Sequence, residues 1–186
     1  MIYTFLFLHV FGTISQDYIY YRYVPCLMVI GFRDIEPEDA RLIARWKSDP
    51  YIKKMALDPA DEITVETEMK EIERAMDKGL YLIVQLDGED IGYVKVDWVY
   101  GKEKIAWLRF ALGEHRGEGY GVEMIQKISN HLFERECVRI EAEVYSKNVP
   151  SQKVLEKNGF VKEGTKRKAY FDGDKYADVY VYGKVG

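Results

Sequence analysis

The stretch GEHRGEGYG, residues 113–121, places four glycines and one arginine within nine residues. It follows KIAWLRFAL, residues 104–112, which has the composition of a strand, and it leads into an amphipathic helical pattern at residues 121–135. Glycine permits positive φ angles and close approach of the backbone to a ligand, and the free N–H groups at a helix N-terminus attract anions. The segment therefore predicts a phosphate-binding loop to which Arg116 adds positive charge. An ordinary glycine-rich turn is the alternative.

Two common phosphate loops do not fit this segment. A Walker loop requires G-x-x-x-x-G-K followed by Ser or Thr, and the chain contains no such string. A dinucleotide fingerprint requires a third glycine where this chain has Val122 or Met124, depending on the starting glycine. The pattern that remains is R-G-x-G-x-G between a strand and a helix.

Composition limits the classes of function. The chain has 186 residues, of which 47% are hydrophobic, enough for one globular domain with a core. Its 27 basic and 31 acidic residues give a net charge of -4, which argues against nucleic-acid binding. The two cysteines are far apart and the three histidines are scattered, so we expect no metal site and a reducing, cytoplasmic location.

Strands and helices alternate from Met28 onward and predict a single α/β domain. The pattern predicts helices over residues 37–50, 63–79, 121–135 and 149–160, with Asp49-Pro50 closing the first of them. It predicts strands at residues 29–35, 81–86, 91–100, 104–112 and 138–145, and two last strands around 166–171 and 176–185.

Residues 1–27 do not belong to this pattern. They begin with an apolar run that lacks a basic n-region and a cleavage site and is too short to span a bilayer, so we expect no membrane association. A tyrosine-rich run, QDYIYYRY, follows at residues 16–23. The segment is either an added element that covers an apolar surface or sequence upstream of the natural start. If it is ordered, the surface it covers belongs to this chain or to a second copy, so a homodimer is an open expectation.

Three segments resemble known signatures in the correct order. The run from Arg116 to Gly121 resembles the coenzyme A pyrophosphate loop of the GNAT superfamily of N-acetyltransferases. NVPSQKVLEKNGFVKEG, residues 148–164, is similar to its second signature, and AYFDGDKYADVYVYG, residues 169–183, resembles the closing hairpin of the ribosomal-protein N-acetyltransferases. The resemblance implies one mixed, mostly antiparallel central sheet flanked by helices. It implies an N-acetyltransferase domain at residues 28–186, with residues 1–27 as an extension of uncertain role.

The resemblance also implies acetyl-coenzyme A as the cosubstrate. The loop amides would bind its pyrophosphate, and the strand before the loop would pair with its pantetheine arm. Asn148 would hydrogen-bond the pantetheine, with a helix N-cap as the alternative role. The implied cofactor-binding residues are Phe110, Ala111, Leu112, Arg116, Gly117, Glu118, Gly119, Tyr120, Gly121, Asn148 and Ser151.

The implied reaction is direct attack of a neutral primary amine on acetyl-coenzyme A in a ternary complex. A lysine amine with a pKa of about 10.4 is almost fully protonated at pH 7, whereas an α-amine with a pKa of about 7.7–8.0 is partly neutral. The closing hairpin favours a protein N-terminal α-amine as acceptor. A small-molecule amine such as a polyamine or an aminoglycoside, and a catalytically silent coenzyme A-binding module, are the alternatives.

Glu143 is the candidate general base. Strand alternation places it opposite the apolar residues of its strand, on the face shared with Glu141 and Tyr145. It lies five residues before Asn148, where the resemblance places a catalytic glutamate in some N-terminal acetyltransferases. A solvated strand face is the alternative interpretation.

Other polar residues near the cleft are expected to compete with Glu143 or to assist it. Asp97 and Arg109 are rival candidates, and Asp178 would orient the amine. Where many relatives carry a tyrosine that protonates the leaving thiolate, this chain has Leu155. Ser151 is expected to hydrogen-bond the sulfur instead, unless a thiolate with a pKa near 8.5 leaves without a protein acid.

Overall fold

The computed structural model describes residues 29–57, 63–99 and 104–186. The strands are β1 Ile30–Asp34, β2 Gly79–Leu86, β3 Glu89–Trp98, β4 Ile105–Leu112, β5 Arg139–Tyr145, β6 Val161–Phe171 and β7 Tyr176–Val185. The helices are α1 Ala40–Ser48, α2 Pro50–Met55, α3 Val65–Lys78, α4 Tyr120–Glu134 and α5 Val149–Lys157, and a 3₁₀ turn at Pro37–Asp39 precedes α1. The extension predicted for residues 1–27 lies outside the described residues, so its role stays a prediction.

The described strands form one seven-stranded sheet in the order β1-β2-β3-β4-β5-β7-β6. Every neighbouring pair is antiparallel except β4 and β5, which run parallel because α4 carries the chain back between them. The expected mixed, mostly antiparallel sheet flanked by helices is therefore confirmed.

Apolar side chains on the two sheet faces build two cores. The first core lies under α4 and α5, where Met124, Ile125, Ile128 and Leu132 repeat at helical spacing and are buried. The second core lies under α1, α2 and α3 and contains Trp46, Ile52 and Ile72. The two faces of the sheet thus carry different helices, and this separation determines what can approach the sheet from each side.

The helix expected over residues 37–50 is shorter than predicted and is followed by a helix that the sequence pattern did not reveal. Helix α1 ends at Ser48, and Asp49 then caps α2 by accepting hydrogen bonds from the amides of Tyr51 and Ile52. Pro50 occupies the first turn of α2, where a missing N–H costs nothing. Asp-Pro ends one helix here and begins another. Strand β6 likewise begins at Val161, earlier than the predicted 166–171.

Helix α1 packs directly against the glycine-rich segment. A Cβ atom added to Gly113 would lie 2.1 Å from the indole ring of Trp46, which is 2% exposed. The indole Nε1 donates a hydrogen bond to Glu114 Oε1 at 3.1 Å. The first glycine of the segment is therefore required by packing.

We expect Gly113→Ala to destabilise the fold by about 1–3 kcal/mol, because the indole must move out of a filled core. Thermal unfolding would show it as a fall in Tm of about 2–4 °C per kcal/mol. Gly31→Ala on β1 is the matched control, since an added Cβ there meets no atom within 4 Å. Equal melting temperatures for the two variants would contradict the packing argument.

Candidate active site

Strands β4 and β5 diverge after a short paired section. Their ladder contains only the pairs Ile105↔Arg139, Ala106↔Ile140 and Trp107↔Glu141 within the described residues. On their outer sides, β4 stays paired with β3 as far as Leu112 and β5 stays paired with β7 as far as Tyr145. The inner backbone edges of residues 108–112 and 142–145 therefore face an opening in the sheet, where an extended group can pair as a strand would.

The side chains of β4 pack against the cores above and below the sheet and do not fill this opening. Phe110 and Leu112 pack against the first core and Ala111 packs against the second. The amides of Gly113 and Glu114 turn back to the carbonyl of Ile91, at 2.8 and 3.0 Å. The strand thus ends at the opening with its apolar side chains directed away from its free edge.

The loop at residues 113–119 alternates in backbone handedness. His115, Gly117 and Gly119 have φ angles of +51°, +88° and +98°, and the residues between them have none that is positive. Such alternation directs successive N–H groups into one concavity that binds anions. The amides of residues 116–119 donate to no acceptor within the described part of the chain, and α4 begins at the next residue.

The glycines of this loop are needed for their φ angles and not for packing. An added Cβ at Gly117 or Gly119 would meet no atom within 4 Å. It would instead lie in a left-handed conformation that side chains disfavour. Open space beside two left-handed glycines is what close approach of a ligand to the backbone requires.

The side chain of Arg116 turns to α2. Its Nη1 and Nη2 atoms donate to the two carboxylate oxygens of Asp49, at 3.0 and 3.2 Å. Its guanidinium lies 5.2 Å from the ring centroid of Tyr51. The expected contribution of Arg116 to an anion site therefore comes from its amide and from the guanidinium N–H groups that Asp49 does not use.

Asn148 lies at the opposite side of the opening, just after β5. Its Oδ1 atom accepts from the amide of Ser151 at 3.1 Å, so it caps α5, and its Nδ2 atom donates to the carbonyl of Met55 at 3.0 Å. An amide nitrogen carries two hydrogens, so one remains for a ligand. The N-cap role is present in the structure, and the contact with pantetheine stays a prediction. Ser151 is half-buried in the first turn of α5.

Glu143 lies two residues beyond the last β4–β5 pair, on the sheet face opposite the first core. Its side chain is 27% exposed and forms an ion pair with Lys166 of β6. The carboxylate is thus at the opening, with access to solvent and one basic partner. Its role as general base stays a prediction.

The rival polar residues are already engaged. Arg109 forms an ion pair with Asp97 and its guanidinium lies 4.9 Å from the ring centroid of Trp107. Asp178 accepts a hydrogen bond from the amide of Lys168, at 2.9 Å, where β6 has a positive φ angle. Asp178 therefore supports the irregular backbone of β6.

Leu155 is fully buried in the first core, so that position carries no group able to donate a proton. Sequence reasoning assigned no role to a tyrosine at the end of β5: the hydroxyl of Tyr145 donates to Asp172 at 2.8 Å. The ammonium of Lys147 beside the same carboxylate holds the pKa of Asp172 well below its usual range. Strand alternation placed Tyr145 on the face of Glu143, but nothing in the sequence pointed to a partner in the distant β6–β7 turn.

The described residues contain neither a membrane-spanning helix nor a cluster of metal-binding side chains. No helix among them is long and apolar enough to cross a membrane. They also contain no group of three or more His, Cys, Asp or Glu side chains arranged to hold a metal ion.

Comparison with known proteins identifies the family. Residues 30–161 match the family described as acetyltransferase (GNAT) domain. The chain is 30% identical over 163 residues to the uncharacterized N-acetyltransferase p20 of Bacillus licheniformis, covering 82% of this chain and 90% of that protein.

Solved structures share the fold at lower identity. The ribosomal L7/L12 alpha-N-protein acetyltransferase RimL in complex with coenzyme A superposes with a TM-score of 0.75 at 18% identity, covering 84% of this chain and 93% of that one. Spermidine N-acetyltransferase from Vibrio cholerae in complex with coenzyme A and spermine gives a TM-score of 0.73 at 20% identity, with 84% and 95% covered. Since the family match extends over most of the chain and includes the diverging strands and the loop, the chain belongs to the GNAT family of acetyltransferases.

Proposed function

We propose that the protein transfers the acetyl group of acetyl-coenzyme A to a primary amine, and that its acceptor is a protein N-terminal α-amine. The transfer from acetyl-coenzyme A to an amine rests on two features together: two diverging parallel strands, and a concave loop before α4 whose amides at residues 116–119 have no acceptor among the described residues. Residues 28–186 form the proposed acetyltransferase domain.

The proposed cofactor contacts include donors that engage no acceptor among the described residues, namely the amides of residues 116–119 and the second Nδ2 hydrogen of Asn148. The amides around Arg116 to Gly121 bind the pyrophosphate, aided by the dipole of α4. The free edge of Phe110–Leu112 pairs with the pantetheine arm, and the second Nδ2 hydrogen of Asn148 donates to it. Bound acetyl-coenzyme A supplies a thioester carbonyl that an amine can attack.

Glu143 is the proposed acceptor of the proton that the attacking amine loses. It faces the side of the sheet that α4 and α5 do not cover, at the level where β4 and β5 begin to separate. An α-amine with a pKa of about 7.7–8.0 is already neutral in roughly a tenth to a fifth of molecules at pH 7. A carboxylate acting directly or through water is therefore sufficient for such an acceptor.

Ser151 is the proposed partner of the sulfur. It lies in the first turn of α5, beside Asn148. Leu155, one helical turn further along, is fully buried and offers the sulfur no polar group. A thiolate with a pKa near 8.5 is a tolerable leaving group, so a hydroxyl hydrogen bond to it meets the need without a dedicated acid.

The charges on α3 support an α-amine over a polyamine. Three of its glutamates, which would suit a polycation if they were free, are paired: Glu66 with Lys70, Glu68 with Lys47 and Glu71 with Lys95. The Lys47–Glu68 and Lys95–Glu71 pairs lie at or near the second core, where breaking a pair leaves a charge with little solvent. Binding a polycation there would require that cost.

The test is transfer of acetyl from acetyl-coenzyme A to matched acceptors, read by mass spectrometry. We expect one acetyl group on peptides with a free N-terminus and an internal lysine, and none on the same peptides with a blocked N-terminus. Preferred transfer to spermidine or to an aminoglycoside would overturn the proposed acceptor. Tight binding of acetyl-coenzyme A without transfer to any amine would instead identify a silent module.

A further inference from the structure

We infer that α2 is a strap across the opening between β4 and β5, and that Asp49 is the positioning residue that fastens it to the cofactor loop. This inference rests on the proposed function, because it takes residues 116–121 and Asn148 as the contacts of coenzyme A.

The two ends of α2 are fastened to the two sides of the opening. At its N-terminus, Asp49 holds Arg116, which follows β4, through two hydrogen bonds of 3.0 and 3.2 Å. At its C-terminus, the carbonyl of Met55 accepts from Asn148, which follows β5, at 3.0 Å. A helix of six residues is about 9 Å long, nearly twice the spacing of two paired strands, so it suits strands that have separated.

Both fastening side chains keep donors that α2 does not use. A guanidinium has five N–H groups in a fixed plane, and Asp49 takes one from each of Nη1 and Nη2. The Nε of Arg116 has no partner within the described part of the chain. Asn148 likewise retains one Nδ2 hydrogen. Arg116 and Asn148 can therefore each bind α2 and coenzyme A at the same time. A bound cofactor would restrict the motion of both side chains.

Helix α2 depends on its hydrogen bonds to Arg116 and Asn148 because it buries only one of its side chains. Ile52 is its one residue buried in the second core, and a helix of this length is not stable by itself in water. The Arg116–Asp49 pair is about one-third exposed on each side, which makes it weak enough for a bound phosphate to change its strength. The hydrogen bonds from Arg116 lower the pKa of Asp49 and so favour its charged form.

The strap lies on the acceptor side of the sheet. Ile52 packs in the second core, and Glu143 faces away from the first core, so both are on the same face. Helix α2 is therefore a wall of the space that an acceptor must enter. Cofactor binding would order this wall, so the acceptor site becomes complete only after acetyl-coenzyme A has bound.

Hydrogen exchange of the amides of residues 51–56, with and without saturating coenzyme A, tests this without knowledge of the acceptor. We expect exchange to slow roughly tenfold when coenzyme A binds the unaltered protein. Asp49→Ser keeps a good N-cap but cannot reach Arg116, so it should lose this protection while coenzyme A still binds. Asp49→Asn, which keeps the length of the side chain, should restore part of it.

Glu163→Ser is the matched control, because Glu163 forms a comparable bidentate pair with Arg139 on another part of the sheet. Its protection should equal that of the unaltered protein. If Asp49→Ser proves unstable in a thermal melt, Arg116→Gln cuts the same link and leaves the cap of α2 intact; because Arg116 is itself a proposed cofactor contact, its exchange is compared at a coenzyme A concentration that calorimetry shows to saturate this variant. Unchanged exchange in α2 despite calorimetric binding of coenzyme A would overturn the strap alone, whereas absence of binding would overturn the proposed function.

Discussion

Replacing Gly117 and Gly119 together by alanine is expected to raise the dissociation constant of coenzyme A roughly 100-fold while the fold persists. Hydrogen bonds to a charged group contribute about 1.5–3 kcal/mol each, and two methyl groups in the concavity would displace the pyrophosphate from at least one such amide. At a coenzyme A concentration of 100 times the original dissociation constant, the unaltered protein gains about 2.7 kcal/mol of stability. At the same concentration the variant would gain only about 0.4 kcal/mol.

The chain offers a closely matched control for the backbone strain of this variant. Gly88 and Gly173, in the β2–β3 and β6–β7 turns, have φ angles of +88° and +95°, close to the +88° and +98° of the loop glycines. An added Cβ meets no atom within 4 Å at any of the four positions. Alanine at Gly88 and Gly173 should therefore lower the melting temperature similarly and leave the coenzyme A-dependent shift unchanged.

Thermal melts with and without coenzyme A, supported by calorimetry, separate the two effects. A loss of the shift in both double variants would mean that the loop variant acts through stability and not through contact. A full shift in the loop variant would show that coenzyme A does not bind at these amides.

Replacing Glu143 by glutamine is expected to lower the turnover number about 10²–10⁴-fold for an N-terminal peptide, with the affinity for acetyl-coenzyme A unchanged. Glutamine keeps the size and the hydrogen-bonding reach of the side chain but cannot accept the proton. Because the amine must then deprotonate unaided, the remaining rate should rise with pH until the α-amine itself is neutral. Single-turnover rates across pH 6–9 would measure this.

Glu163→Gln is the control for loss of a paired carboxylate from the same face. Glu163 is held by Arg139, at the start of β5, where β4 and β5 are still paired. Its replacement should change the rate by less than about threefold, as expected of an exposed ion pair. Equal rates in both variants would exclude Glu143 as the general base and turn attention to Tyr145, whose hydroxyl lies on the same face at the end of β5.

Much of the site follows from local sequence. The glycines of residues 113–121 determine backbone conformation directly, since only residues without a Cβ adopt positive φ angles at little cost. The period-two pattern of β5 is equally local, and it predicts Glu143 on the face opposite the apolar residues of its strand. The order of strands and helices, together with the three signatures, was enough to predict the fold class.

The tertiary structure decided how these local pieces meet. The divergence of β4 from β5, the burial of Leu155 and the pairing of Tyr145 with Asp172 all depend on contacts between distant segments. Helix α2 shows the limit of local sequence: Asp49-Pro50 was expected only to end a helix, whereas in the structure it also begins α2, whose links to Arg116 and Asn148 bridge 67 and 93 residues of chain. Backbone conformation is set by neighbouring atoms and is therefore readable from sequence, whereas the partners of a side chain are set by the packing of the whole domain.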